Sequence, residues 1–195
     1  MHRFIAGRIL PICLLALLPG PALAHVLGAH GAGFAQGFSH PFGGIDHLLA
    51  MFAVGVWAAQ RGGRAVWLLP ASFMVMLAAG AGLALAGVPL AFAETGIAVS
   101  LLVLGTLLTA TVPLPLPLAM VLVGCFAIAH GHAHGSELPE AALPWLYGLG
   151  FLGATALLHG LGVALGMAAG KPLAHLLVRA SGLVVALLGV GLLLA

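Results

Sequence analysis

The chain has 195 residues, of which 63% are hydrophobic and only 5% are charged, and its formal net charge is +2. A soluble domain carries about 25% charged residues, so this composition excludes an ordinary soluble domain and indicates a protein that lies in a lipid bilayer. The small net charge, without a basic patch, argues against nucleic acid as a partner, and the two cysteines form neither a disulfide framework nor a Cys-x-x-Cys pair for a soft metal such as Cu(I).

Residues 1–24 are typical of a cleaved secretory signal peptide. Arg3 and Arg8 make a basic beginning, a short apolar run follows, and Ala-Leu-Ala at residues 22–24 supplies the small residues that a signal peptidase requires. The alternative is a retained first membrane helix, but the apolar run is shorter than the ~20 residues that a span needs. Cleavage leaves residues 25–195 as one transmembrane domain whose N-terminus lies outside the cytoplasmic membrane, in the periplasm of a Gram-negative cell.

The expected mature chain begins with His25, and His30 follows in the same stretch. The free amino group and the imidazole of His25 together are able to chelate a metal ion. The alternative is that both histidines belong to a polar tail.

Six apolar stretches follow, and most have the length that an α-helix needs to cross the hydrocarbon at 1.5 Å per residue. They predict an all-α, polytopic membrane helix bundle of six transmembrane helices. Divided three and three, these helices form halves of opposite orientation, which suggests an inverted repeat. The predicted spans are residues 41–60, 65–87, 92–111, 118–134, 143–170 and 173–194.

The basic residues of the mature chain predict its orientation. With the N-terminus outside, Arg61, Arg64, Lys171 and Arg179 all lie on or near the cytoplasmic side. This distribution agrees with the positive-inside rule. We therefore expect a multi-pass protein of the inner membrane with a periplasmic N-terminus and with its histidine clusters near the outer surface.

The first predicted span opens with the run His-Pro-Phe-Gly-Gly-Ile-Asp-His at residues 40–47. Ionisable side chains in a membrane helix are costly and by default mark an ion or substrate path. In a single helix, His40 and His47 share a face, and Met51 lies one turn beyond His47. Asp46 is then either a metal ligand or the group that orients His47. The alternative for the whole run is a hydrogen-bonded cluster that joins helices.

A second cluster, His-Gly-His-Ala-His-Gly-Ser-Glu at residues 130–137, ends the fourth predicted span. If the helix continues through it, His130, His134 and Glu137 face one way and His132 faces roughly the opposite way. Gly131 and Gly135 disfavour a helix, so a flexible coordinating loop is one alternative. A hydrated loop at the membrane interface that binds no metal is another. Neutral imidazole with carboxylate suits Ni, Co, Zn or Fe, and the affinity order alone does not choose among them.

Two more ionisable residues each have two interpretations. Glu94, at the start of the third span, is either a metal ligand or an acidic residue that favours a helix N-terminus. His159, near the middle of the fifth span, either lines the path deeper in the membrane or donates a buried hydrogen bond, and we expect the second. The nearby Gly162, Gly166 and Gly170 predict close helix packing.

The His-x5-Asp-His pattern at residues 40–47, continued by Leu-Leu-Ala-Met, resembles the first signature of the HupE/UreJ family of nickel or cobalt permeases. That family is associated with hydrogenase and urease maturation. Its second signature, His-Gly-x-x-His-Gly-x-Glu, matches residues 130–137; a Phe often precedes it, and this chain has Ala129 there. The leader, the six later spans and Glu94 in the third span also resemble the family, so the resemblance covers essentially the whole mature chain.

The resemblance implies import of Ni²⁺ or Co²⁺ across the cytoplasmic membrane to supply metalloenzymes such as hydrogenase or urease. The sequence does not exclude Zn²⁺ or Fe²⁺ as the transported ion. No prosthetic group is expected, and a homo-oligomer is compatible with the sequence. Residue chemistry and resemblance together indicate as metal ligands His40, Asp46, His47, Glu94, His130, His134 and Glu137, with His25, His30, His132 and His159 as secondary candidates.

We therefore expect a transport protein rather than an enzyme. The sequence contains no nucleotide-binding loop, so we expect no use of ATP by this chain, and both a potential-driven pore and a proton-coupled carrier stay open. One alternative is an intramembrane metal-dependent hydrolase. The sequence contains no His-Glu-x-x-His motif, which argues against it. The other is a periplasm-facing metal sensor or assembly protein without transport.

Overall fold

The computed structural model describes residues 29–139, 142–168 and 172–195, and within them the chain is helical and contains no strand. The predicted signal peptide, His25, Glu140 and Lys171 lie outside the described residues, as does the side chain of His30. The elements are α1 (Ala29–Ser39), a 3₁₀ turn (His40–Phe42), α2 (Ile45–Arg61), α3 (Ala65–Leu85), α4 (Ala93–Ala110), α5 (Leu116–Ser136), α6 (Pro144–Ala168) and α7 (Pro172–Leu194).

Five helices, α3 to α7, are long and apolar enough to cross a membrane, and the bent pair of α1 and α2 makes six if it counts as one span. The bounds of α3 to α7 lie within a few residues of the predicted spans. The prediction of an all-α, multi-pass membrane protein is confirmed. Because α5 continues to Ser136, the histidines at its end lie on a helix, and the alternative of a loop at those positions is wrong.

The first span differs from its prediction. The chain bends by 81° between the segment that ends at Phe42 and the helix that begins at Ile45. Pro41 has no N–H to donate, and Gly44 precedes α2 in an extended conformation with φ −113° and ψ 120°. A glycine in a helix interior is also less favourable than an alanine by about 1 kcal/mol. His40 and His47 therefore lie on separate elements, and the prediction that they share one helix face is wrong.

The sequence did not predict α1, which packs against α6. A Cβ on Gly37 would collide with the backbone of Tyr147, and a Cβ on Gly150 would collide with the carbonyl oxygen of Phe34. Glycines allow this close approach of two helix backbones in lipid. The packing holds the 3₁₀ turn, and His40 with it, beside the first turns of α6.

Three helix pairs share the most extensive contacts in the described chain: α3 with α5, α4 with α7, and α2 with α6. If α2, α3 and α4 exchange places with α5, α6 and α7 respectively, the pair of α3 with α5 becomes the pair of α6 with α2, and the pair of α4 with α7 is unchanged. This pattern supports the inverted-repeat hypothesis. The contacts of α2 with α3 and α4 have no counterpart of similar extent between α5 and the last two helices, so the symmetry is incomplete.

The predicted role of the α6 glycines in helix packing is confirmed for two of the three. Gly162 and Gly166 both lie against the backbone of α2, where a Cβ would collide with Phe52 or Ala59 respectively. Gly170 lies outside the described residues.

We expect Gly162→Ala to destabilise the fold. A Cβ at this position would collide with the carbonyl oxygen of Phe52, whereas a Cβ on Gly160, in the same helix, would meet nothing within 4 Å. Overpacking costs about 1–3 kcal/mol, while alanine at an open helix position gains up to ~1 kcal/mol over glycine. Thermal unfolding in detergent should show a lower midpoint for Gly162→Ala and an equal or higher one for Gly160→Ala. Equal midpoints for both variants would contradict the packing argument.

Candidate metal site

The bend in the first span brings two short segments to the end of α5. The 3₁₀ turn carries His40, the first turn of α2 carries Asp46 and His47, and the last turns of α5 carry His130 and His134. The ring centroid of His134 is 4.7 Å from that of His40 and 4.1 Å from that of His47, which is itself 5.3 Å from that of His130. Four imidazoles from three elements therefore meet at one end of the bundle.

Short polar contacts join this cluster to a carboxylate. His40 Nε2 lies 3.1 Å from Glu137 Oε2, and the same oxygen lies 3.9 Å from His134 Nδ1. His134 Nε2 lies 3.1 Å from His47 Nδ1, so one of these nitrogens donates a hydrogen bond and the other accepts it. His40, His134 and Glu137 offer ligand atoms that all lie within 4.8 Å of one another. Since metal–nitrogen bonds measure about 2.0–2.1 Å, small side-chain movements would be sufficient for these atoms to bind one ion.

Exposure falls steeply across the site. The side chain of Glu137 is 55% exposed and that of His40 is 31% exposed, whereas His134 is 2% exposed and His130 is fully buried. The carboxylate is thus the part of the cluster that water reaches most easily, and His130 is the part that is most completely enclosed.

The hydrogen bonding of His130 leaves a lone pair free in the interior. Its Nδ1 donates to the carbonyl oxygen of Phe126 over 3.0 Å, and since a carbonyl only accepts, Nε2 of the neutral ring carries the lone pair. Nε2 of His130 and Nδ1 of His134 are buried, and neither has a hydrogen-bond partner among the described residues. Leaving a buried polar atom without a partner costs about 1–3 kcal/mol. The contacts therefore favour metal ligation over a cluster that only joins helices.

Asp46 lies beside the imidazole cluster, and Glu94 lies further away. Asp46 Oδ1 accepts a hydrogen bond from the backbone N–H of His47 over 2.9 Å, and its Oδ2 lies 3.9 Å from His47 Nε2. Glu94, in the first turn of α4, shares with Asp46 the lining of a cavity of about 230 Å³. Asp46 is thus positioned to orient His47 or to bind the ion itself, whereas Glu94 faces the cavity behind it.

The secondary candidate ligands His132 and His159 have different surroundings in the structure. His132 faces away from the cluster, as predicted from helix periodicity, and its Nε2 donates to the carbonyl oxygen of Val88 over 2.8 Å. His159 is 2% exposed, and neither of its ring nitrogens has a hydrogen-bond partner among the described residues, so the expected buried hydrogen bond is not found there. His25 and the side chain of His30 lie outside the described residues.

Sequence reasoning missed the aromatic side chains around the imidazoles. The ring centroid of Phe151 is 4.3 Å from that of His134, and that of Phe73 is 5.8 Å from that of His130. These rings therefore place apolar surface against the imidazoles of His130 and His134. Both belong to apolar spans without a periodic pattern, so nothing in the sequence distinguishes them from lipid-facing neighbours.

Comparison with known proteins gives a family match over most of the chain. The sequence profile of the family described as HupE / UreJ protein matches residues 13–192. Protein HupE of Rhizobium leguminosarum bv. viciae is 42% identical over 180 residues, which cover 92% of this chain and 94% of that protein. No solved structure shows significant similarity to the chain.

Proposed function

The chain belongs to the HupE/UreJ family, and from this premise we propose that it imports Ni²⁺ or Co²⁺ across the cytoplasmic membrane. The family is associated with nickel or cobalt accessory function for hydrogenase and urease, so the imported ion would supply metalloenzymes of that kind. The ion is the cargo of the protein and enters through the histidine and carboxylate site on the periplasmic side.

The observation that carries this proposal is the meeting of His40, His47, His130 and His134 with Glu137 at one end of an apolar bundle. Ionisable residues inside a membrane segment are expensive and mark ion paths. Neutral nitrogen and carboxylate oxygen together suit a divalent transition metal better than Mg²⁺ or Ca²⁺, which prefer oxygen alone. The fall in exposure from Glu137 to His130 supports entry from water rather than a closed structural site.

The arginines support a periplasmic position for the site. An Arg61 guanidinium nitrogen donates to the carbonyl oxygen of Leu114, and Arg179 Nε donates to that of Thr109 over 2.9 Å. Both arginines thus lie at the C-terminal end of α4, whereas Glu94 lies in its first turn, at the opposite end. Under the positive-inside rule the arginine end faces the cytoplasm, and the site then faces the periplasm.

We expect purified protein in liposomes to admit Ni²⁺ or Co²⁺ with saturable kinetics and to admit Zn²⁺ and Fe²⁺ more slowly. An inside-negative potential of ~100 mV contributes about 2.3 kcal/mol per charge, or about 4.6 kcal/mol for a divalent ion, so it should drive accumulation without ATP. A metal-sensitive dye inside the vesicles measures the initial rate. Protein-free vesicles and vesicles with a collapsed potential are the controls.

The other function classes give different results in the same experiment. Tight metal binding without entry at any potential would overturn the proposal and support a sensor or assembly protein. A chelator-sensitive hydrolysis without entry would support a metal-dependent hydrolase.

A further inference from the structure

His159 is the one imidazole of the described interior that the outer site does not use. It is 2% exposed in the middle of α6, and neither ring nitrogen has a hydrogen-bond partner among the described residues. No described acidic side chain pairs with it either. A polar side chain without partners in the middle of a membrane span lowers stability and therefore calls for a functional explanation.

Side-chain contacts place His159 below the outer site. Along α6, Phe151 packs on His134, and His159 follows eight residues later, about 12 Å further along the helix. Along α5, His130 lies four residues from His134, about 6 Å along that helix. The Phe73 ring contacts both inner imidazoles, with centroids 5.8 Å from that of His130 and 5.1 Å from that of His159.

Two further side chains with electron-pair donor atoms lie between the outer site and His159. Met51 is one turn after His47 on α2, and Thr155 is one turn before His159 on α6. Both are fully buried, and the Thr155 hydroxyl lies 3.4 Å from the Met51 sulfur while it also contacts the carbonyl oxygen of Phe151 at 3.0 Å. A thioether and a hydroxyl thus lie at a depth between the outer site and His159.

Gly55 holds the two helices together at this depth. It lies so close to the carbonyl oxygen of His159 that a Cβ would collide with it. The His159 side chain is therefore carried by a backbone that is fixed against α2.

We propose that His159 is a second, inner binding position for the transported divalent metal ion, reached from His130 past the Phe73 ring. This inference rests on the proposed import function. An ion path needs binding that is favourable enough for entry and weak enough for release, and this is best met by several sites. Because His159 has an imidazole but no paired carboxylate, it binds the ion less strongly than the outer site and lets it continue inward.

The test compares His159→Leu with His175→Leu, since His175 is an exposed imidazole on α7 outside the outer site and the inner position. We expect His159→Leu to lower the initial rate of Ni²⁺ or Co²⁺ entry into liposomes at least about tenfold, with outer-site affinity for the metal alone changed less than about threefold. Its unfolding midpoint should rise, because leucine removes a buried polar group without partners. His175→Leu should change none of the three quantities.

A second pair of variants reports ligation directly. Loaded with Co²⁺, His159→Cys should show a near-ultraviolet band of thiolate-to-cobalt charge transfer that the unmodified protein and His175→Cys lack, and it should recover part of the flux lost in His159→Leu. Wild-type flux in His159→Leu, or the absence of the band in His159→Cys, would overturn the inner position and leave the import function standing. Absence of flux in the unmodified protein would overturn the import function and the inner position together.

Discussion

Replacing His134 with alanine is expected to lower the rate of metal entry more than ~100-fold while the protein stays folded. His134 is the imidazole that contacts His40, His47 and Glu137 at once, so its loss removes a ligand and separates the others. Loss of a group that only supports a ligand typically costs 10–100-fold in affinity or activity, and loss of the ligand itself should exceed that range. Initial rates in liposomes and calorimetric metal binding measure the effect, and the unfolding midpoint reports the fold.

The matched variant is His132→Ala, two residues earlier on the same helix. His132 donates to the carbonyl oxygen of Val88, on the side of α5 away from the cluster. We expect its rate of metal entry to change less than about threefold, since no ligand is lost. Equal losses in the two variants would contradict the assignment of one face of α5 to the ion.

Asp46→Asn is expected to lower metal entry about 10–100-fold, with an unfolding midpoint close to that of the unmodified protein. Asparagine has the same shape and keeps an oxygen that accepts the backbone N–H of His47, so the first turn of α2 should persist. What it removes is one negative charge 3.9 Å from His47 Nε2. A carboxylate ~4 Å from a cation bound beside His47 would interact with each unit of that cation's charge by about 4 kcal/mol at an effective dielectric constant of 20, which is sufficient for a loss of this size.

Glu94→Gln is the comparison for Asp46→Asn, because the two carboxylates line the same cavity but only Asp46 contacts an imidazole. We expect the smaller loss in Glu94→Gln. If Asp46→Asn transported at the unmodified rate, the carboxylate would have no part in binding. If Glu94→Gln lost more than Asp46→Asn, the ion would enter through the cavity behind Asp46 rather than past Glu137 and His40.

The fold class and most helix bounds followed from composition, because in lipid the backbone polar groups must be satisfied within a helix. An apolar run of ~20 residues therefore predicts a span directly, as it did for α3 to α7. The first span failed this rule. Its apolar pattern continues through Gly43 and Gly44, while the backbone bends there and a helix that the pattern did not indicate, α1, packs on α6.

The candidate site divides in the same way. Helix spacing was sufficient to group His130 with His134 and to separate His132 from them, because all three lie on one continuous helix. No spacing rule relates His40 to His134 or Glu137, which are distant in sequence and meet only because of the bend at Gly44. The deeper position of His159 is also tertiary, since its neighbours Phe73 and Gly55 come from other helices.

That the protein is a helical membrane protein with two clusters of histidine and carboxylate could be read from the chain alone, because apolar length, charge and residue type are local properties. The packing of the helices brings the imidazoles of His40, His47, His130 and His134 together with Glu137 and leaves His159 apart from them, deeper in the bundle. That arrangement depends on a broken first span and on glycine contacts that allow helix backbones to touch, and neither is encoded in the spacing of residues along one helix.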